Sequence, residues 1–228
     1  MTPFVLRRKK IHVLKDLPKK SHRVEYCEMH PAQKELYDDI LQKQQDQIAA
    51  RARGEINTKD TNNVLMQLRK AASHPLLFRR IYDDKKIGVM AKEIMKEDKF
   101  STPEHSKDAI LEDMSYMWDF TLHKLCLEYP AIQRFALSQD EWMQAGKIDM
   151  LKQLLPEMKA RGDRILLFSF FTMMLDILEV VLDSLGVTYM RLDGQTKVDE
   201  RQDMIDQFHR EEDIMVFLLS TKAGIPIS

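Results

Sequence analysis

The strongest constraint on the fold is a regular alternation of helical segments with short apolar strands after Gly146. Residues 147–160 have helical spacing, and residues 164–170 (RILLFSF) form an apolar run. A very apolar helix, a strand at 187–193 (VTYMRLD), another helix and a strand at 213–220 (DIMVFLLS) follow in order. Apolar strands that are separated by helices are typical of a parallel sheet with helices on both faces. The sequence therefore predicts an α/β fold for this part of the chain.

The residues before Gly146 are predicted to form an irregular, mostly helical module. Residues 22–28 (HRVEYCE) alternate polar and apolar side chains, which predicts a half-buried strand with Val24 and Tyr26 on one face. A long helix is expected to begin at Pro31, and a second one to stop before His74-Pro75. The pattern Ser138-x-x-Glu141 predicts a capping box at the start of a short helix.

Composition limits the possible partners. The net charge is −1, from 35 basic and 36 acidic residues, so the whole chain is not a polycation. The first 23 residues nevertheless hold eight basic side chains and one acid. Such an arm suits phosphate contact or a nuclear address, and a solvated surface run explains it equally well. No apolar run has the length of a membrane span, so we expect no contact with a membrane. Cys27 and Cys126 are expected to be free thiols.

Small polar residues follow each of the three predicted strands. They lie at Ser169–Thr172, at Asp193–Thr196 and at Ser220–Gly224. Because parallel strands end at the same edge of a sheet, the three loops are expected to lie side by side. Their hydroxyl groups, backbone N–H groups and the Lys222 ammonium would suit phosphate groups. Thr172 and Thr196 are also expected to cap the helices that follow them.

Several catalytic motifs are absent from the sequence. It contains no GxxxxGK[ST] phosphate loop, no strand that ends in an Asp-Glu pair and no HExxH metal motif. It also contains no GxSxG or Cys/His nucleophile pattern. No catalytic residue and no metal ligand is therefore predicted.

Several ordered motifs resemble those of the Swi/Snf family of ATP-dependent chromatin remodellers, which are helicase-like DNA translocases of superfamily two. The motifs are LLPEMKARGDRILLFSFFTMMLDILE, YMRLDGQT, ERQDMIDQFH and DIMVFLLSTKAG. Upstream, PFVLRRKKIHVLKDLPKKSHRVEYCEMHPAQKELYDDI and NVLMQLRKAASHPLLFRRIY are similar to the segments that lead from the first lobe of the motor into its helical protrusion and second lobe. The resemblance implies that residues 1–145 hold the end of the first lobe, the protrusion and a linker. It implies an incomplete RecA-like parallel-sheet lobe at 146–228.

The resemblance also implies roles for the residues of the three loops. Those expected to contact DNA phosphates are Ser169, Thr172, Asp193, Gly194, Thr196, Ser220, Thr221 and Lys222. Ala223 and Gly224 would border the nucleotide cleft. The chain departs from the family pattern at Phe170, where glutamine is usual, and at residues 225–228 (IPIS), where a glycine-leucine-glycine stretch is usual.

By the same resemblance, the intact parent would be a nuclear protein that uses ATP and Mg and acts on double-stranded DNA and nucleosomes. This chain is expected to be a piece of such a motor that binds no cofactor stably by itself. Two alternatives stay open. The first is a non-enzymatic protein-interaction module derived from the motor, and the second is a small α/β enzyme that uses a phosphate-bearing metabolite.

Overall fold

The computed structural model describes residues 20–53, 64–100 and 106–222. The described residues between Pro31 and Met143 are mostly helical. Their helices are α1 (Pro31–Ala52), α2 (Val64–Ala71), α3 (Asp84–Ile94), α4 (Lys107–Ser115), α5 (Asp119–Glu128) and α6 (Gln139–Met143). Three short 3₁₀ helices accompany them, at Pro75–Leu77, Asp98–Phe100 and Pro130–Phe135.

The region from Gly146 onward alternates helices and strands as the sequence predicts. The elements are α7 (Gly146–Ala160), β1 (Ile165–Ser169), α8 (Thr172–Ser184), β2 (Tyr189–Leu192), α9 (Val198–Arg210) and β3 (Val216–Ser220). The strands form one parallel sheet in the order β1-β3-β2. Gly186 has a φ of +63° after α8, a backbone conformation that glycine adopts without a steric penalty. The predicted α/β fold is thus confirmed.

Helix starts follow the local sequence in the helical region. The Asp83 carboxylate accepts a hydrogen bond from the Lys86 N–H (2.7 Å), and the Ser106 hydroxyl accepts one from the Ala109 N–H (3.1 Å). The predicted capping box at Ser138 is present. Each cap satisfies backbone donors that have no partner inside the helix.

The two caps predicted in the sheet region are wrong. Thr172 is the first residue of α8, after Phe171 at the cap position, and no side chain caps that helix. Lys197 occupies the cap position of α9, also without a side-chain cap. The Thr196 hydroxyl instead accepts a hydrogen bond from the Asp193 N–H (3.2 Å) inside the preceding turn.

The strand predicted at residues 22–28 is also wrong. These residues have no regular secondary structure, and Val24 and Tyr26 are 72% and 89% exposed. An alternating pattern forms a strand only where a neighbouring strand pairs with it. The end of the segment lies instead against the start of α7, where a Cβ atom on Gly146 would be 1.9 Å from the Glu28 carbonyl oxygen.

The hydrophobic core runs through both regions. The larger cluster joins helical-region residues such as Leu77 and Met90 to α8 and to the inner face of β3. A smaller cluster lies on the other face of the sheet, where α9 covers Leu192, Phe217 and Leu219. Helices therefore cover both faces of β3, whose five residues are all buried. The two cysteines are free, with Cys126 buried and Cys27 half-buried.

Strand β1 is less buried than its apolar sequence predicts. Leu166 and Phe168 are 48% and 51% exposed, whereas their neighbours on β3 are buried. The reason is topological, because β1 lies at an edge of the described sheet and α9 covers the side of β2 and β3. None of the described helices is long and apolar enough to cross a membrane.

Candidate nucleic-acid interface

The three strand ends lie next to one another, as predicted from the alternation. In the parallel register Ser169 is opposite Ser220, and Leu192 is opposite Leu219. The loops after β1, β2 and β3 therefore leave the sheet at one edge. This edge lies at the carboxyl ends of the strands, where α/β folds usually bind ligands.

Ser169 and Ser220 are both buried, with 8% and 2% exposure. The Ser169 hydroxyl donates a hydrogen bond to the Phe171 carbonyl (2.8 Å), which fixes the bend between β1 and α8. The Thr221 N–H donates to the Ser169 carbonyl (3.0 Å) and ties the end of β3 to the same bend. The two serines shape the edge, whereas Thr221 and Lys222 are exposed on it.

The loop after β2 is a tightly bonded turn that begins at Asp193. One Asp193 carboxylate oxygen accepts a hydrogen bond from the Gln195 N–H (2.8 Å). The other accepts two from the Arg191 guanidinium (2.7 and 2.9 Å). Arg201 closes the turn by donating to the Thr196 carbonyl (3.2 Å). Asp193 is only 4% exposed, so its main role in the described structure is to hold Gly194 and Thr196 in place.

Arg191 is the residue of this edge that sequence reasoning missed. Its guanidinium also donates to carboxylates of α8, at Asp176 (2.6 Å) and Glu179 (2.6 Å). An arginine between the apolar residues Met190 and Leu192 of a strand, with two acids three positions apart on the preceding helix, is the signal that could have revealed it. The cluster joins α8, β2 and the turn into one rigid unit.

The pKa values of this cluster follow from its hydrogen bonds. Burial by itself would lower the pKa of Arg191, but the bonds to Asp176, Asp193 and Glu179 outweigh burial and raise it. Burial would raise the pKa of Asp193, but the Gln195 N–H and the Arg191 guanidinium outweigh it and lower that pKa. Arg191 and Asp193 are therefore both charged near neutral pH.

Thr172, Asp193 and Thr196 line one concave surface of about 720 Å³. Two cations, Lys124 and Arg191, lie on this surface, and the acids Asp176 and Glu200 lie beside them. Lys124 is already near Asp176 (3.9 Å). The surface thus presents hydroxyl groups among both basic and acidic side chains, and its electrostatic potential is not strongly positive.

Ser169 and Thr221 line a different cleft, of about 430 Å³, which lies beside β1. Its polar rim also includes Arg69 of α2 and Lys147 of α7, and none of its described lining residues is acidic. The Arg69 guanidinium lies over the ring of Phe170, 4.3 Å from the ring centre. The predicted site residues are thus divided between two neighbouring depressions. Ala223 and Gly224, predicted at the nucleotide cleft, lie outside the described residues.

Comparison with known proteins agrees with this architecture. Residues 1–77 match the SNF2-related domain and residues 146–225 match the helicase conserved C-terminal domain. The crystal structure of the C-terminal part of the Fun30 ATPase domain superposes with a TM-score of 0.83 at 44% identity, covering 91% of this chain and 71% of that chain. This chain belongs to the Swi/Snf family. The SWI2/SNF2 ATPase core of Sulfolobus solfataricus, solved in complex with double-stranded DNA, shares the fold with a TM-score of 0.56 at 18% identity, over 96% of this chain and 35% of that chain.

Curated members of the Swi/Snf family are similar along almost the whole chain. The ATP-dependent helicase fft2 of Schizosaccharomyces pombe is 53% identical over 98% of the chain. The human SWI/SNF-related matrix-associated actin-dependent regulator of chromatin subfamily A containing DEAD/H box 1 is 46% identical over 97%. The chain spans only 18% and 21% of the length of these two proteins.

Proposed function

We propose that this chain is part of a nuclear, ATP-dependent DNA translocase that acts on chromatin. Residues 1–145 would supply the end of the first lobe and the helical protrusion, and residues 146–228 part of the second RecA-like lobe. The observation that carries the proposal is the convergence of three polar loops at the carboxyl edge of a parallel sheet. The names of the curated relatives, a helicase and a regulator of chromatin, support it. So does an archaeal core of the same fold that was solved with double-stranded DNA.

The DNA contacts that we propose are to the phosphate backbone. The hydroxyls of Thr172, Thr196 and Thr221, the N–H of Gly194 and the ammonium of Lys222 are the donors of this edge. Such donors set the position of a protein on DNA without reading its sequence. The carboxylates of Asp176 and Glu200 lie among them and oppose the approach of phosphate. We therefore expect weak binding that is independent of sequence.

ATP and Mg belong to the proposed function of the intact motor. The sequence has no phosphate loop and no acidic magnesium motif. Ala223 and Gly224 would border the nucleotide cleft from the second lobe only, and the first lobe would supply the other side. We propose that the chain alone neither holds ATP stably nor hydrolyses it, and DNA-stimulated turnover by the purified chain would disprove this.

The test is the anisotropy of a fluorescent duplex of about 30 base pairs, titrated with the chain at several salt concentrations. Binding should weaken steeply with salt, because each phosphate contact releases counterions. Lys222→Gln should weaken binding and reduce the salt slope by about 1. Lys159→Gln is the matched control, since this exposed lysine lies at the opposite edge of the sheet. Equal losses of DNA affinity in the two variants would contradict the proposal that DNA binds at the carboxyl edge of the sheet.

The second candidate is a protein-interaction module without enzymatic activity. The mixed charge of the concave surface favours it, because Asp176 and Glu200 suit a basic segment of a protein better than DNA. If DNA binding is absent at low salt and Lys222→Gln has no effect, this candidate replaces the translocase interpretation.

A further inference from the structure

The cleft of about 430 Å³ at the carboxyl end of β1 differs in charge from the neighbouring concave surface. Arg69 of α2 and Lys147 of α7 lie on its rim, and its described lining residues include no acid. The surface of about 720 Å³ beside it includes the carboxylates of Asp176 and Glu200. Cations without opposing acids are therefore found in the cleft, where the helical region meets the sheet region.

The two cations of the cleft are not neutralised by ion pairs. Both side chains are exposed, and no carboxylate among the described residues forms an ion pair with Arg69 or Lys147. Charges of one sign around a cleft with apolar walls concentrate the electric field and attract ions of the opposite sign. The apolar walls of this cleft include Ile148 and Leu151 of α7, and Met174 and Leu178 of α8.

An aromatic side chain of the sheet region holds Arg69 in a defined place. The Arg69 guanidinium lies over the ring of Phe170, 4.3 Å from the ring centre. The Phe170 ring in turn makes an edge contact with the ring of Phe171, with the two ring centres 5.2 Å apart. A guanidinium that stacks on a ring keeps its N–H donors available in its own plane, and this planar fork matches the oxygens of a phosphate group. Phe170 thus holds an arginine of the helical region beside the end of β1.

Thr221 connects this cleft to the donors of the carboxyl edge. Its exposed side chain lines the cleft, and Lys222 follows it in the chain. The Thr221 N–H donates to the Ser169 carbonyl (3.0 Å), which fixes its position relative to the end of β1. The cleft is therefore continuous with the edge at which we propose that DNA phosphates bind.

We propose that Arg69 and Lys147 are two further contacts for the phosphate backbone of DNA, and that Phe170 is a positioning residue for Arg69. This inference rests on the proposed binding of DNA at the carboxyl edge. It adds two cations from outside the strand-end loops, one from α2 of the helical region and one from the first turn of α7. DNA would then contact both regions of the chain, and the strongest attraction for phosphate would lie in the cleft and not on the surface of about 720 Å³.

The titration of the fluorescent duplex with the whole chain tests this inference. Arg69→Gln and Lys147→Gln should each weaken binding and reduce the salt slope by about 1. Lys159→Gln is the matched control, because this exposed lysine lies near the other end of α7. Arg69→Lys keeps the charge and loses the planar guanidinium, so it should keep the salt slope and bind about two- to fivefold more weakly. Urea midpoints verify that each variant is folded.

A double-mutant cycle tests whether Phe170 acts through Arg69. Phe170→Leu should weaken DNA binding about two- to fivefold, as expected for the loss of one exposed cation–π contact. In the Arg69→Gln background the same change should have no further effect on DNA affinity. Equal weakening in both backgrounds would show that Phe170 affects binding by another route, and would overturn its positioning role.

Failure of this inference can be distinguished from failure of the proposed function. If Lys222→Gln weakens DNA binding while Arg69→Gln and Lys147→Gln behave like Lys159→Gln, DNA binds at the edge without the cleft, and the inference is overturned. If Arg69→Gln loses the binding of inorganic phosphate, measured by NMR, and retains the duplex affinity, the cleft takes a small phosphate ligand, which also overturns it. If the wild-type chain binds no duplex at low salt, the proposed function is overturned and this inference with it.

Discussion

The helical region up to Met143 and the sheet region from Gly146 bury their polar groups differently. In the helical region, single polar side chains sit deep in the core and hold backbone segments together. The buried Asp119 carboxylate accepts hydrogen bonds from the N–H groups of Arg80, Ile81 and Tyr82 (2.9 to 3.1 Å). The sheet region instead keeps its polar groups at the strand ends, around Arg191, and no element of the described residues covers the face of β1 at Leu166 and Phe168.

This difference shows how an irregular helical module can have a defined shape. Four of its described helical segments are only three to six residues long, so hydrogen bonding within helices does not fix their packing. Buried acceptors such as Asp119 supply that order. A parallel sheet obtains its order from strand pairing, and its polar residues remain available at the edge that binds ligands.

Of the changes that test this difference, removal of the Asp119 side chain should lower the free energy of unfolding most. Asp119→Ala leaves three backbone N–H groups in a buried place without an acceptor, and should lower the free energy of unfolding by about 3 kcal/mol or more. Urea denaturation measures it. The exposed Asp113 gives the control Asp113→Ala, which should change stability by less than about 0.5 kcal/mol. Similar losses for both variants would show that Asp119 does not anchor the module.

Acid should destabilise the helical region through His74. This ring is fully buried, accepts from the Leu76 N–H (3.2 Å) and donates to the Trp142 carbonyl (3.1 Å), so it is held neutral. Burial lowers its pKa from 6.5 to about 4.

The unfolded chain takes up a proton on His74 more readily than the folded chain does. The stabilising contribution of the neutral, buried ring is therefore fully present above about pH 6.5. It falls as the pH drops toward 4, by about 3 kcal/mol. Urea midpoints between pH 7 and 4 measure the loss. His74→Gln, which cannot take up the proton, should have a flatter profile, and an unchanged profile would exclude His74 as the cause.

The junction between the two regions should depend on Gly146. In Gly146→Ala the new Cβ would meet the Glu28 carbonyl oxygen, so the backbone of residues 27–30 must move. We expect a loss of about 2 kcal/mol, within the range for overpacking. The nearby contact between His30 and Asp149 should also be lost, which NMR of the His30 ring can detect. Gly88→Ala, with open space around its Cβ position, is the matched control and should not destabilise the chain.

The smallest effect is expected at β1, on the part of the sheet face that α9 does not cover. Leu166→Thr should change the free energy of unfolding by less than about 0.5 kcal/mol, because this side chain is already half exposed. The same change at Leu218, which is fully buried in β3, should cost more than about 2 kcal/mol. Equal costs would mean that the two faces of the sheet are covered alike.

Much of the sheet region could be predicted from the sequence, whereas the candidate site could be predicted only in outline. Apolar strands between helices required a parallel sheet, and this brought Ser169, Asp193 and Ser220 to one edge. The side-chain contacts of these three residues could not be predicted from the alternation of helices and strands. Asp193 carries a charge, yet it is buried against Arg191, because the partners of a side chain depend on neighbours far away in the sequence. The same holds for Thr172 and Thr196, which resemble caps locally and do not act as caps in the fold.

The sequence by itself determined the alternation of elements, the capping box at Ser138 and the end of α8 at Gly186, because hydrophobic spacing and local backbone preferences control these features. Only the tertiary structure decided which strand lies at the edge. The run RILLFSF is as apolar as the central strand, yet Phe168 is half exposed because, among the described strands, β1 has one neighbour and β3 has two. Residues 22–28 have the pattern of a strand and form none, since a strand also needs a partner that only the folded chain can provide.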